Sequence, residues 1–370
     1  MSVKNVLGII FSNAYDEVLP ELTALRTMGS VPFAARYRLV DFPLSNMVNA
    51  GISQVGVITK SNYRSLMDHI GNGKPWDLSR KREGLTLLPP FNTPSIGMIS
   101  GKVDSLYGSI SYITKSGKDH VLLADCNVVC NMDYEKLVKY HIAKDADVTI
   151  AYAKGNPPST ENGTELILDG EGRVTGTSLI DCFSGNVNYS LKLMVIRRTL
   201  LERLLHEAHS AKIEDFETLI ANNVKHLRVY GYEQTGFIRV LSSLQTYYDI
   251  SMELLKAENR KALFTPERPV YTKVSDQVPS VHGIGANVKN SLIADGCRIY
   301  GEVENSILFR GVTVEKGAKI KNSIVMQNTF VGENSTLECV IIDKSAVVKP
   351  NKMLCGAVNY PVYIGKGIVI

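Results

Sequence analysis

The sequence predicts an α/β domain built on a mostly parallel sheet, followed by a short parallel β-helix. Three observations carry this expectation. Apolar strand-like runs alternate with helical spacing from Val6 onward, Pro266, Pro269 and Pro279 then interrupt any regular element, and an Asn-Ser-aliphatic unit repeats after them. At 370 residues there is length enough for two such bodies.

In chain order, Val6–Phe11 is an apolar run of strand length that enters a loop at residues 12–17. Residues 42–50 have helical spacing and stop at Gly51, 53–59 read as a second buried strand, and 62–70 as a helix. Residues 71–101, rich in Gly, Pro, Arg and Lys, read as a long excursion over the carboxyl edge of the sheet, where ligands bind in such folds. A short helix at 104–113 precedes a central strand at 120–129 that ends in polar groups. Residues 133–144 suit a helix, 147–153 a strand, 166–174 a hairpin around Asp169-Gly170, 191–196 a strand and 199–209 a helix. A helical stretch at 239–255 leads away from the domain. The expected boundaries are 1–264 for the α/β domain, 265–282 for a linker and 283–370 for the β-helix.

Within that last part, Asn290-Ser291-Leu292-Ile293, Asn305-Ser306-Ile307-Leu308 and Asn322-Ser323-Ile324-Val325 recur at intervals of 15 and 17 residues. Glu338-Cys339-Val340-Ile341 is taken as the next unit, 16 residues on. Branched aliphatics at roughly six-residue spacing give each coil three faces; one coil cannot bury its apolar edge alone, whereas stacked coils can.

Composition excludes several classes. The 41 basic and 37 acidic residues are mixed without long single-sign runs, so no nucleic-acid footprint is expected. The opening apolar run is too short to cross a membrane. Six cysteines without a C-x-x-C pair, and no secretory leader, point to reduced thiols in a cytoplasmic protein and away from zinc. β-Helix acyltransferases use a histidine base between coils; here no histidine follows His282.

A strand entering a loop at the start of an α/β domain is where nucleotide phosphates bind, through glycine N–H groups and a basic side chain. Residues 12–17 hold no Gly, Lys or Arg, and instead place Tyr15, Asp16 and Glu17 there. At the end of the central strand, Asp125 or Asn127 either holds Mg²⁺ between phosphates or caps the strand and the turn after it.

The run Tyr37-Arg38-Leu39-Val40-Asp41-Phe42-Pro43-Leu44-Ser45-Asn46, with Gly56-Val57-Ile58-Thr59, resembles the ADP-glucose pyrophosphorylase family, the glucose-1-phosphate adenylyltransferases. The resemblance continues through 104–113, Asn131-Met132-Asp133-Tyr134 and 146–151 into the β-helix. It implies a nucleotidyltransferase domain followed by a left-handed β-helix. Departures concentrate in the chemistry. The family's Gly-Gly-x-Gly-Thr-Arg-Leu is replaced by Asn13-Ala14-Tyr15-Asp16-Glu17-Val18-Leu19, its Lys-Pro-Ala by Met28-Gly29-Ser30, and a Gly-Thr by Gly101-Lys102. Its Gly-Asp-His metal element aligns on Cys126-Asn127-Val128, with Asp125 one residue away; its second metal aspartate falls on Val240, and its sugar-phosphate Glu-Lys near Leu179-Ile180.

Packing motifs thus persist where catalytic charges are lost, which implies a noncatalytic D-type subunit of bacterial glycogen synthesis with no cofactor of its own. On this reading Asp125, Asn127 and Val240 are vestigial catalytic positions, and Lys60, Lys102 and Asp104 are remnants of the substrate pocket. Arg26 and Arg38 match basic positions near the family's effector site, so a sugar phosphate or similar anion is the implied effector. The implied partner is a catalytic subunit, in a heterotetramer. The alternative is a diverged active adenylyltransferase, in which glucose 1-phosphate attacks the α-phosphate of ATP. Asp125 would then hold Mg²⁺, and Lys60 and Lys102 would neutralise charge.

Overall fold

The computed structural model describes residues 3–89, 101–156, 163–180 and 185–370. Nine strands form the sheet of the first body: β1 (Val6–Phe11), β2 (Gln54–Ile58), β3 (Gly84–Leu88), β4 (His120–Asp125), β5 (Val148–Gly155), β6 (Thr164–Leu168), β7 (Val174–Leu179), β8 (Val187–Arg197) and β9 (Val229–Glu233). Strands β3, β2, β1 and β4 lie side by side and parallel. β8 then runs antiparallel to both β4 and β5, β9 is parallel to β5, and the β6–β7 hairpin joins at Tyr189. The sheet is therefore parallel around its first loop and mixed beyond it. All six residues of β1 are buried, because helices cover both faces of this half. Gly8 is required there: a Cβ would lie 2.5 Å from the Met47 sulfur of the helix Asp41–Asn49.

Two local expectations change. Of the excursion at 71–101, residues 90–100 lie outside the described residues, and Gly84–Leu88 is the edge strand β3 instead of loop. Residues 239–255 are not one helix. Ile238–Val240 pairs antiparallel with Val128–Cys130, and a helix runs only from Leu244 to Glu253, where Ser243 and Thr246 form a capping box. No helix among the described residues is long and apolar enough to cross a membrane. Cys126, Cys130, Cys297, Cys339 and Cys355 are unpaired thiols.

The second body is a parallel β-helix of three five-stranded sheets, beginning at Val281–His282. Asn290, Asn305 and Asn322 turn its corners at φ of +40°, +45° and +46°, a conformation asparagine tolerates better than most residues. Next to them the serines form a ladder: the Ser291, Ser306 and Ser323 hydroxyls accept the N–H groups of Ser306, Ser323 and Val340 at 3.1 Å. Register corrects the sequence reading of the fourth unit. Ile324 pairs with Ile341 and Val325 with Ile342, so the corner is Cys339, at φ +51°, 17 residues after Asn322.

Each aliphatic doublet is divided between two cores. Leu308, Val325 and Ile342 fill the inside of the coils, while Ile307, Ile324 and Ile341 point outward into the core of the α/β domain, together with Phe33, Phe42 and Tyr247. The helix Leu244–Glu253 is tied to both bodies, Tyr247 donating to the Pro32 carbonyl at 2.7 Å and Tyr248 to that of Asn322 at 2.6 Å. The segment expected as linker is pinned too: Asn131 donates to the Arg268 carbonyl at 2.8 Å and Tyr271 N–H to the Ser45 hydroxyl at 2.9 Å.

Candidate functional site

At the carboxyl ends of β1 and β2 lies a cleft of about 600 Å³, bordered by the first loop, Lys60, Lys102, the end of β7, Lys192 and the helix Phe216–Asn223. The loop is closed on itself. The Ser12 hydroxyl donates to the Ile58 carbonyl at 2.7 Å, and the Asn13 amide oxygen accepts the Lys60 N–H at 2.9 Å. The Asn13 amide nitrogen donates to Asp16, whose carboxylate also accepts the Met28 N–H at 2.7 Å. Donors that would suit a phosphate are thus engaged by a carboxylate of the protein. Burial pushes Asp16 up to about 6, with the Met28 and Asn13 hydrogen bonds acting against it.

Behind the loop, charges pair with one another. Lys102, in the first turn of the helix Lys102–Gly108, reaches Asp125 at 2.7 Å and Glu217 at 3.3 Å, and Lys192 reaches Glu217 at 3.6 Å. Burial works against the Lys102 ammonium, yet Asp125 and Glu217 outweigh it and hold its pKa above that of an ordinary lysine. The Tyr15 ring is flanked by both ammonium groups, with Lys102 Nζ 5.2 Å and Lys192 Nζ 4.8 Å from its centroid. Burial raises the Tyr15 phenol, and nearby Asp125 adds to the rise. Lys192 sits where the β8–β5 ladder breaks, at φ +54°, a conformation costing a lysine roughly 1–2 kcal/mol.

This donor set does not fit Mg²⁺, which requires several oxygens in open octahedral positions. One Asp125 oxygen is bonded to Lys102 and the other is buried without a hydrogen-bond partner. The Asn127 backbone carbonyl accepts the Leu241 N–H at 2.8 Å, its side-chain amide nitrogen donates to the Leu241 carbonyl at 3.4 Å while the amide oxygen is buried without a hydrogen-bond partner, and Val240 lies opposite Val128 in the short ladder. Among the described residues, no group of three or more His, Cys, Asp or Glu is arranged to hold a metal ion.

Lys60 and Lys102 line the cleft, whereas Asp104 turns toward His209, 3.9 Å away. Leu179, 77% exposed, forms the rim. Arg26 and Arg38 lie elsewhere, toward the junction with the β-helix. Arg26 is only 2% exposed; it pairs with Asp343 at 2.5 Å and leaves its second terminal nitrogen without a hydrogen-bond partner. Asp343 also accepts from the Tyr363 hydroxyl at 3.0 Å. Arg38 donates to the Ser65 carbonyl at 2.5 Å and hydroxyl at 2.9 Å, and burial lowers its pKa to about 10. Burial, then Arg38 and Arg26, bring Lys344 down to about 6. Sequence reasoning did not find Lys192, Glu217 or Lys344. None belongs to a motif, and each acquires its setting only from long-range packing.

A nucleotidyl transferase family model matches residues 8–175, and a model described as GlmU-like, C-terminal hexapeptide, matches 276–357. The architecture is accordingly a nucleotidyltransferase domain followed by a left-handed β-helix. Glycogen biosynthesis protein GlgD of Bacillus subtilis is 36% identical over 98% of this chain and 96% of its own length. GlgD of Geobacillus stearothermophilus is 36% identical over 85% and 82%, and glucose-1-phosphate adenylyltransferase of Fervidobacterium nodosum is 31% identical over 94% and 85%.

Proposed function

Since the chain belongs to the family of glucose-1-phosphate adenylyltransferase and GlgD, we propose that it serves glycogen biosynthesis as a noncatalytic subunit that binds a catalytic adenylyltransferase subunit and modulates it. The observation supporting this most directly is the Lys102–Asp125–Glu217–Lys192 network. Nucleotidyl transfer must neutralise the triphosphate as the nucleophile arrives. In this cleft two lysines already neutralise protein carboxylates, and the loop beside them carries Asp16 and Glu17.

The regulatory part of the proposal rests on the junction. Arg26, Arg38 and Lys344 lie near one another where the two bodies meet, and a sugar phosphate or another anion there would meet the two guanidinium groups and favour the protonated form of Lys344. An effector bound there would bias the relation of the two bodies, and through a subunit interface the partner's conformational equilibrium. Its affinity would change reciprocally with the partner's substrates.

Co-purification with a catalytic subunit, followed by kinetics of each protein alone and mixed, tests the proposal. The expected result is a stable complex, no turnover by this chain alone, and an altered activator response in the mixture. Absence of a complex overturns it, as does turnover by the isolated chain that disappears in Asp125→Asn.

A further inference from the structure

We propose that the cleft binds an uncharged saccharide of mono- to disaccharide size and discriminates against its phosphate ester. This rests on the reading of the cleft as noncatalytic, and adds what it holds instead of a nucleotide.

Space comes first. At about 600 Å³ the cleft falls within the roughly 300–1,000 Å³ typical of small-molecule sites, even with Tyr15, Lys102 and Lys192 in place. Charge then restricts the ligand. Lys60, Lys102 and Lys192 line the cleft, but so do Glu214, Asp215 and Glu217. Lys102 and Lys192 share Glu217, and Lys102 also holds Asp125. Lys60 lies in the field of Asp16, Glu17, Asp104 and Glu214. A phosphate dianion drawing on Lys102 would leave the buried Asp125 carboxylate unpaired, one drawing on Lys192 would strip Glu217 of one of its two cations, and one drawing on Lys60 would enter the field of four carboxylates, so each approach is unfavourable.

The remaining lining suits hydroxyl groups. Thr164 and Thr177 bring hydroxyls, each both donor and acceptor, the Thr218 hydroxyl, which donates to Asp215 at 2.8 Å, still offers an acceptor, and the Glu214 carboxylate accepts only. Phe11 and Leu179 add apolar surface. A pyranose presents the same combination, with hydroxyls around its edge and C–H groups on its faces. Donor–acceptor hydroxyls and acceptor carboxylates can bond that edge without any net charge on the ligand.

Isothermal titration of the full chain with glucose, maltose, glucose 1-phosphate, ATP and the diamine putrescine, without Mg²⁺, tests this. Glucose or maltose should bind, and glucose 1-phosphate should bind at least about ten-fold more weakly than glucose. Thr177→Val should weaken the saccharide. Glu214→Lys, at an exposed position outside the buried pairs, should narrow the gap by strengthening glucose 1-phosphate. The inference is overturned if the phosphate ester or ATP binds as well as the sugar, if putrescine alone binds, or if neither saccharide does. If saccharide binding is absent while the chain still alters a catalytic partner's kinetics, only this inference falls; turnover by the chain alone removes the noncatalytic reading as well.

Discussion

Lys102 occupies the place at Asp125 that a divalent ion would need, and its replacement exposes how much the pairing matters. Lys102→Met leaves the Asp125 carboxyl without its cation at 4% exposure and removes one of the two cations on Glu217. We expect a loss of about 3–5 kcal/mol in urea unfolding, with most of it recovered when Asp125→Leu is added. An unchanged midpoint in the single variant refutes the assignment. Lys344 yields a pH prediction. Folded, it titrates near 6; unfolded, near its ordinary value of about 10.4. Between these limits the unfolded chain carries the extra proton, so the Lys344 contribution to stability rises with pH through that window. Unfolding midpoints from pH 6.5 to 9 should therefore climb less in Lys344→Met than in the parent. The groups around it, Arg26, Arg38, Asp343, His69 and Lys366, are common to both proteins. At this scale the sequence showed which charges were missing but not which replaced them. Lys192 lies between Leu191 and Leu193 and reads as the solvent side of a strand; only the interruption at Ser190 and Met194 turns it into the cleft.

Strands and helices with strong apolar periodicity were legible where their patterns were long: β1, β2, β4, the β6–β7 hairpin and the helix Arg198–Ala211. Misreadings arose where a local signal competed with a distant partner. Gly84–Leu88 is flanked by loop-like composition, and it becomes a strand because β2 offers it a free edge. Ile238–Val240 precedes a helix and extends because Val128–Cys130 pairs with it. In the solenoid the repeat was plain, but its fourth corner was placed one residue early. Cys339 replaces the asparagine and Val340 the serine, so both markers of phase are gone. The serine ladder itself is testable. Ser306→Ala removes the acceptor of the buried Ser323 N–H and the donor to the Glu304 carbonyl, and should cost about 1–3 kcal/mol in equilibrium unfolding. A cost near zero would mean that the coils are held by their aliphatic stacking alone.

For the molecule as a whole, two bodies could be inferred from the proline cluster and the repeat, but their union could not. The first and second aliphatics of each doublet are chemically alike, and nothing local assigns Ile324 to one core and Val325 to the other. Ile324→Asp would bury a carboxylate between the bodies, and should cost more than about 3 kcal/mol and make residues 265–282 susceptible to limited proteolysis. Resistance equal to the parent's would refute the shared core. The outward stripe Ile307, Ile324 and Ile341 also sets an order of events during synthesis. The amino-terminal body emerges from the ribosome first, with one side of its core still facing water, and stays so until coils translated later wind against it. A nascent chain stalled before residue 283 would be an aggregation hazard, and the final turns of the solenoid complete the folding of the domain made before them.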